Sequence, residues 1–465
     1  MTGTPKPGLV FYGDDFTGST DALEVLAAAG IPSVLLLREP DQALRARVAG
    51  ARAIGLAGIS RSKPPGWMDR NLPRLFAALA SFEAPLLHYK TCSTFDSSPQ
   101  IGNIGRAIEI GLEQFGNHWV PLLAGAPALG RYTLFGNHFA AAAGTVWRLD
   151  RHPTMSCHPV TPMTEADLLR HLAAQTARPI GLVDILAIES GKAKPRLAEL
   201  VAAGAEIVLF DVLDEHSLAD IGGLIPAGNG RPQFVAGSSG VEYALVAHWR
   251  ATRRLGSPPP AAEIAPSERL LVVSGSCSPV TAAQIAAARA GGFAVERLEL
   301  SRLLDAATRK AEEERVHAIA TRALRAGRSV VLHSAEGPAD PAIGELRARI
   351  AGSAHDGSLL SERLGESLAR LAGALVRENR LKRLVVAGGD TSGYCARGLG
   401  LAALTMIAPA APGSPLCRAV AEDPALDGLE VAFKGGQIGS DAFFIELRDG
   451  IERQPTLSVM AGDHR

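Results

Sequence analysis

Short runs of consecutive apolar residues alternate along this chain with segments whose apolar residues recur at helical spacing. In the first half the runs are Leu9-Val10-Phe11, Ser33–Leu37, Ala53–Ile59, Leu86–Tyr89, Val120–Ala124, Ile180–Val183, Ile207–Phe210 and Phe234–Ala236. Between them Gly66–Ser81, Gly102–Phe115 and Thr164–Thr176 read as helices, as does a segment at about 240–254. Runs without polar alternation suit strands buried on both faces, which is the signature of a parallel sheet. The second half repeats the style with Leu270–Val273, Ala294–Leu298, Ser329–Leu332, Leu384–Ala387 and Leu429–Phe433. Its helices are predicted over Thr281–Ala290, Arg309–Ala326 and Leu359–Asn379.

The break between the halves is a segment with three consecutive prolines, Pro258-Pro259-Pro260, inside 255–266. Proline cannot continue a helix or sit in a central strand, and a run of it favours stiff extended backbone. The pattern therefore predicts an α/β protein of two domains, 1–254 and 267–465, joined by a linker over 255–266. Each domain is expected to hold a mostly parallel sheet flanked by helices, with the active site in the cleft between them.

Composition narrows the class. At 465 residues the chain exceeds what one core usually serves, and 47% apolar content indicates a globular protein. Charge is nearly balanced, 47 Lys and Arg against 48 Asp and Glu, with no basic block. Nucleic acid and anionic membrane are thus not expected partners. The five cysteines, Cys92, Cys157, Cys277, Cys395 and Cys417, are odd in number and form no C-x-x-C pair. This argues against disulfides and structural zinc and favours the reducing cytoplasm. No apolar leader opens the chain, and no apolar stretch approaches the roughly 20 residues of a membrane span.

Three polar clusters follow apolar runs in the first half: Asp14-Asp15, Ser60-Arg61-Ser62 and Lys90-Thr91-Cys92-Ser93-Thr94-Phe95-Asp96-Ser97-Ser98. If the strands are parallel, all three emerge at one sheet edge, where open α/β sheets bind ligands. Arg61 and Lys90 suit an anion, Arg by a bidentate fork and Lys as a point charge. Asp14 or Asp15 could take a hydroxyl proton, or could simply cap the helix that follows. His152 and His158 stand six residues apart, a spacing that matches no usual metal pattern. Thr164, ahead of Ala166-Asp167-Leu168, reads as an ordinary helix start.

The second half carries three turns rich in glycine and hydroxyls after strands. They are Ser274-Gly275-Ser276-Cys277-Ser278-Pro279, Gly388-Gly389-Asp390-Thr391-Ser392-Gly393 and Lys434-Gly435-Gly436-Gln437-Ile438-Gly439. Exposed N–H groups at such turns bind phosphate, and glycine lets it approach closely. Together they predict a nucleotide site, although none is a Walker A loop or a dinucleotide fingerprint. In the first turn Ser278 reads as an N-cap with Pro279 at the first helical position, and Cys277 as a small packed residue.

In chain order these segments resemble the four-carbon acid sugar kinase family. The matching pieces are Asp14-Asp15-Phe16-Thr17-Gly18, Lys90 through Ser97, His158-Pro159 through Thr164, Ser274 through Ser278, Gly389 through Gly393 and Lys434-Gly435-Gly436. The resemblance implies ATP-dependent phosphorylation of a small sugar acid such as threonate, erythronate or 3-oxo-tetronate, with Mg2+. It implies that Ser274, Ser276, Gly388, Gly389, Asp390, Thr391, Gly393, Gly435 and Gly436 contact ATP. Asp14, Asp15, Arg61, Lys90, Ser93 and Thr94 would face the substrate, with Asp15 or Asp14 as base. No metal ligand is identified, and a homodimer is compatible with the family. Many members have Glu in place of Asp390 and Lys-Ser-Gly-Asn in place of Lys434-Gly435-Gly436-Gln437. The Lys-Gly-Gly-Gln form is more similar to relatives acting on branched acids, such as a 3-oxo-isoapionate kinase. Gly130–His138 matches only loosely the family's Gly-Arg-x-Thr-x-x-Gly-His. Rival classes are a sugar-acid dehydrogenase and a non-catalytic sugar-acid sensor on the same scaffold.

Overall fold

A computed structural model describes residues 6–142, 144–157, 161–228, 230–260, 262–341, 343–344 and 357–452; for 357–361 and 390 it describes the backbone alone. The strands of the first half are β1 (Leu9–Gly13), β2 (Ser33–Leu36), β3 (Ala53–Ala57), β4 (Leu86–Lys90), β5 (Val120–Leu123), β6 (Arg131–Leu134), β7 (Asn137–Ala142), β8 (Thr145–Arg148), β9 (Ile180–Val183), β10 (Ile207–Phe210) and β11 (Gln233–Gly237). Those of the second half are β12 (Leu270–Ser274), β13 (Ala294–Arg297), β14 (Val330–His333), β15 (Arg383–Ala387), β16 (Leu401–Ala411), β17 (Ser414–Ala421) and β18 (Glu430–Lys434). The apolar runs became strands within a residue or two of their predicted bounds. Most are buried along their whole length, as strands covered by helices on both faces must be.

Fifteen strands form one sheet, in the order β13-β14-β12-β15-β18-β17-β16-β2-β3-β1-β4-β11-β5-β10-β9. The first-half strands are mutually parallel, and their ends are level: Gly13 lies opposite Ala57 and Lys90, and Lys90 opposite Gly237. The halves join edge to edge through an antiparallel seam of two residue pairs, Leu36 with Ala403 and Leu35 with Leu404. Beyond the seam the hairpin β16–β17 and the antiparallel β17–β18 pairing reverse the chain. The parallel strands of the second half therefore run opposite to those of the first.

The helix Phe16–Ala28 ties the halves together. The ring of Phe16 meets that of Phe433 edge-on at 4.8 Å between centroids. Thr20 Oγ1 donates to the Gly413 carbonyl at 3.3 Å, and Glu24 accepts from the Gly413 N–H at 2.8 Å. One buried apolar cluster runs through both halves and includes Leu23, Leu35, Leu404 and Phe433. The proline segment lies along this junction, with Pro259 against Gly30, and Ile264 bridges to Ile451.

Some elements depart from expectation. The strands β6, β7 and β8, which had no counterpart in the apolar pattern, form a separate antiparallel sheet. Its first turn, Phe135-Gly136, has positive φ at both positions, the geometry of a two-residue hairpin. The helix expected to open at Thr164 instead opens at Leu168, because Asp167 caps it by accepting from Leu169 and Arg170 N–H. The long hairpin β16–β17 had no counterpart in the apolar pattern.

All four tryptophans, Trp67, Trp119, Trp147 and Trp249, precede the proline segment. If the shared core couples the halves, tryptophan fluorescence, which reports the first half, and far-UV circular dichroism, which reports both, will show one coincident urea transition. Phe16→Ala should lower both midpoints together, by about 3 kcal/mol of stability. A circular-dichroism step with no change in fluorescence would show that the halves unfold independently.

Candidate active site

The level ends of β1, β3, β4 and β11 place the three polar clusters side by side. The backbone does this first: Asp14 N–H donates to the Lys90 carbonyl at 2.9 Å, and Arg61 N–H to the Asp14 carbonyl at 3.0 Å. Thr91 N–H donates to the Gly237 carbonyl at 2.6 Å.

The two adjacent aspartates have different jobs in the fold. Asp15 is the N-cap of the helix Phe16–Ala28, accepting from Gly18 N–H at 2.7 Å and from Thr17 Oγ1 at 3.0 Å. Its Oδ2 also takes Arg61 Nη1 at 3.0 Å. Asp14 is only 3% exposed, and its Oδ1 is buried without a hydrogen-bond partner. Burial first, and the Asp15 charge second, push its carboxyl up to about 8 against the opposing pull of Arg61 and Lys90. Asp14 thus holds a proton near neutrality.

Arg61 is braced between two carboxylates. Its Nη2 and Nε donate to Asp96 Oδ2 at 2.5 and 3.0 Å, opposite the Asp15 contact. Asp96 also accepts from Thr94 Oγ1 at 2.6 Å and Thr161 Oγ1 at 3.2 Å. The guanidinium, read from sequence as a free anion clamp, is therefore already paired on both sides. Lys90 is buried, with Nζ 2.9 Å from the Thr91 carbonyl and 3.4 Å from Asp21 Oδ2. Burial acts to lower its pKa, but Asp21 and then Asp15 outweigh that and raise it, so the ammonium stays charged.

The small sheet β6–β7–β8 reaches this edge as well. His138 Nε2 donates to the Ser93 carbonyl at 2.8 Å, and its Nδ1 accepts from Thr133 Oγ1 at 3.0 Å. Burial pushes His138 down to about 4, so it is neutral and serves as a strut for the Ser93–Thr94 loop. Asp211 accepts the N–H groups of Phe135, Gly136 and Ile185, anchoring the hairpin turn to the end of β10. Arg131, half-buried at the start of β6, donates through Nη1 to backbone carbonyls and has no carboxylate partner among the described side chains. Burial lowers its pKa, while Cys92 and Asp21 act on it electrostatically, which puts it on the substrate side of the edge. Gly237-Ser238-Ser239-Gly240, at the end of β11, also joins the site, with the Ser239 hydroxyl buried beside the Asp21 carboxyl. Sequence reasoning noted Gly130–His138 without giving Arg131 a role, and passed over the Gly-Ser-Ser-Gly turn, whose place after an apolar run was the available signal.

The three turns of the second half converge equally closely. A side chain on Gly275 would strike Thr391 Oγ1 at 2.2 Å, and one on Gly388, at φ +123°, would meet the same atom at 2.9 Å and Ser276 N at 3.4 Å. One on Gly436 would strike Ser276 Oγ at 2.8 Å. Ser274 and Ser276 hydroxyls accept from the N–H groups of Ser276 and Ser278 and so shape the first turn. Ser278 caps the helix Pro279–Ala290 as expected, whereas Cys277 is exposed and not packed. The helix Gly389–Gly398 begins without a side-chain cap, and around Gly389 there is open space. Gly435 borders Ile438. The side chain of Asp390 lies outside the described residues. Gly393 comes within 3.8 Å of Phe16, so the phosphate-type turn adjoins the residue that follows Asp15.

Metal ligands are sparse. His152 Nδ1 accepts from Thr154 and Met155 N–H, while His158 and Pro159 lie outside the described residues. Among the described residues no group of three or more His, Cys, Asp or Glu side chains could hold a metal, and no helix is long and apolar enough to cross a membrane. An apolar groove of about 490 Å³, lined by Ala27, Ile31, Val48, Thr405 and Met406, sits at the far end of the helix Phe16–Ala28, away from these groups.

Comparison with known proteins agrees with this division. Residues 9–245 match the family model of a sugar-binding N-terminal domain, and residues 271–444 that of a nucleotide-binding C-terminal domain. The chain is 51% identical over 445 residues to a 3-oxo-isoapionate kinase of Paraburkholderia graminis, covering 95% of this chain and 94% of that protein. It is 31% identical over 443 residues to a 3-oxo-tetronate kinase of Pseudomonas savastanoi pv. phaseolicola, covering 94% and 96%. A crystal structure from Haemophilus influenzae shares the fold with a TM-score of 0.71 at 24% identity, covering 94% of this chain and 99% of that one. With both family models in order and a close relative along almost its whole length, the chain belongs to the four-carbon acid sugar kinase family.

Proposed function

We propose that this kinase phosphorylates a hydroxyl of 3-oxo-isoapionate or a closely similar branched 3-oxo sugar acid at the expense of ATP. The observation that carries the substrate is the 51% identity to the 3-oxo-isoapionate kinase, against 31% to the 3-oxo-tetronate kinase, over equal lengths of chain. Phosphoryl transfer asks the protein mainly to position reactants and balance charge. Asp14 is the general base. Its buried Oδ1, without a hydrogen-bond partner, and its raised pKa make the ionised carboxylate a strong base, with more of it present as pH rises toward about 8. Asp15, whose oxygens are engaged by the helix N-terminus and Arg61, holds Asp14 and the guanidinium in place.

Lys90 and Arg131 hold the acid's carboxylate, with Arg61 as the brace between Asp15 and Asp96 and with Ser93 and Thr94 lining the edge. The N–H groups of Gly389 to Thr391, with Ser274, Ser276, Gly393, Gly435 and Gly436 around them, hold the phosphates. Mg2+ fits a site poor in carboxylate clusters, since it is commonly bound by one or two protein carboxylates plus the nucleotide's own phosphates. When bound it neutralises charge on the β- and γ-phosphates. Closure of the halves would keep water from the transferred group. A dehydrogenase or a sensor would have no use for a carboxylate base set beside a phosphate-type turn.

Four measurements check this reading. Asp14→Asn should cut turnover by about 10²- to 10⁴-fold while leaving ATP binding intact, and Asp15→Asn should cost less. A larger loss for Asp15→Asn would reverse the assignment. The titration of Asp14 has a second consequence. Its folded pKa, about 8, lies above its unfolded value, so native stability due to this group falls as pH rises from about 4 to about 8. Asp14→Asn should therefore gain thermal stability over the parent progressively across that window while losing activity.

Gly389→Val has room in the empty protein and should keep its melting temperature, yet lose ATP binding and retain sugar-acid binding. Loss of both ligands would place the nucleotide elsewhere. In a panel of tetronates, 3-oxo-tetronates and branched 3-oxo acids, ADP release should give the highest kcat/KM with 3-oxo-isoapionate. A preference for 3-oxo-tetronate would refute the substrate.

A further inference from the structure

The nucleotide-binding half contains a buried cation with no carboxylate partner among the described side chains. Lys434 ends β18, and its side chain is fully buried. Its Nζ donates to Thr281 Oγ1 at 3.1 Å and lies 3.5 Å from the Gly436 carbonyl. Thr281 Oγ1 itself donates to that same carbonyl at 2.9 Å. The ammonium also faces the ring of Phe444, at 6.0 Å from the centroid.

What is missing, among the described side chains, is a carboxylate. From the helix Pro279–Ala290 Lys434 meets the uncharged Thr281, while Gln284 on the same helix is turned to the carbonyls of Ile438 and Ser440. The helix Phe443–Asp449 offers Phe444, while its Glu446 accepts from Ser440. On β15 the residue opposite Lys434 is Ala387, and Arg383 is paired with Glu430 at the other end of the strands. Among the described side chains, Lys434 therefore has polar and π contacts but no ion pair.

A buried ammonium without a counter-ion costs free energy in proportion to its desolvation, and burial is the cause that lowers the pKa of Lys434 to about 8. Contrast Lys90, equally buried, whose charge Asp21 and Asp15 sustain. An unbalanced cation is tolerated in a fold when something outside the fold supplies the opposite charge. Lys434 lies directly behind Gly435-Gly436, and Gly436 abuts the Ser276–Ser278 turn, so the open side of that charge is where the three phosphate-type turns meet.

We propose that Lys434 is the charge with which this half senses the polyphosphate of the nucleotide: the phosphates are its counter-ion, and it is neutralised only when they are bound. The inference rests on the three-turn site being the ATP site. It makes Lys434 a positioning residue that acts through the Gly435-Gly436 turn and through its field, and it predicts that ATP binding is coupled to proton uptake. Near pH 8 the empty protein holds Lys434 about half protonated, and a polyanion next to it restores the proton.

The test is titration calorimetry of the full-length protein at pH 8 with ATP, ADP and adenosine, in buffers of different ionisation enthalpy. The parent should take up about half a proton with ATP and ADP, and none with adenosine. Lys434→Met should abolish the uptake and weaken ATP by about tenfold or more, with adenosine nearly unchanged. It should also melt higher than the parent below pH 8, because an apolar side chain replaces an unpaired charge. Lys434→Arg, charged at every working pH, should bind ATP without proton uptake and serves as the arbiter if the Met variant does not fold. Equal losses of ATP and adenosine in Lys434→Met, or ATP binding to the parent without buffer dependence, would make Lys434 a structural prop and overturn the proposal. A parent that binds adenosine and ATP equally poorly would instead overturn the nucleotide site itself.

Discussion

Everything at the sugar-acid edge follows from a shortage of positive charge. Asp14, Asp15, Asp21 and Asp96 crowd the ends of β1 and β4 and the first turns after them, while Arg61 and Lys90 are the cations set against them. The two cations are shared out by geometry. Arg61 goes to Asp15 and Asp96, and Lys90 to Asp21. Asp14 is left with weaker, longer-range attraction and an oxygen that no donor reaches. Like charges in a low-dielectric setting do not all ionise. The group left out is the one with the highest proton affinity, so its ionised form is the strongest carboxylate base at this edge.

The other half shows the opposite imbalance. Its turns offer backbone N–H groups and hydroxyls, and its buried Lys434 faces no carboxylate among the described side chains. The turns and the buried ammonium of this half are complementary to an anion. The helix Phe16–Ala28 brings the surfaces into register, since its capped end follows Asp15 and its first ring packs on Phe433, one residue before Lys434.

Much of this was legible in the sequence. Buried parallel strands announce themselves as unbroken apolar runs, and polar clusters that follow such runs must lie at one edge. The Asp14-Asp15 pair was read as either base or cap, and in the structure Asp15 caps the helix while Asp14 Oδ1 has no hydrogen-bond partner. The hairpin β16–β17 was invisible for a physical reason. Leu401–Ala411 is rich in alanine, a poor strand former, and Pro409 lies opposite Pro415 in the pairing. Only tertiary pairing with β2 and β18 makes strands of it. The Arg61 contacts were hidden likewise, because Asp96 is 35 residues away along the chain.

The seam between the halves is narrow, two residue pairs of backbone with one helix laid across it. Such a junction asks little of either side beyond a few apolar residues and a strand edge. Lineages can therefore remodel the sugar-facing strand ends, loop by loop, while the nucleotide machinery drifts under its own constraints. A scaffold divided in this way is suited to acquiring new acids without reinventing the energy source, and its catalytic novelty should accumulate on one side of Leu36.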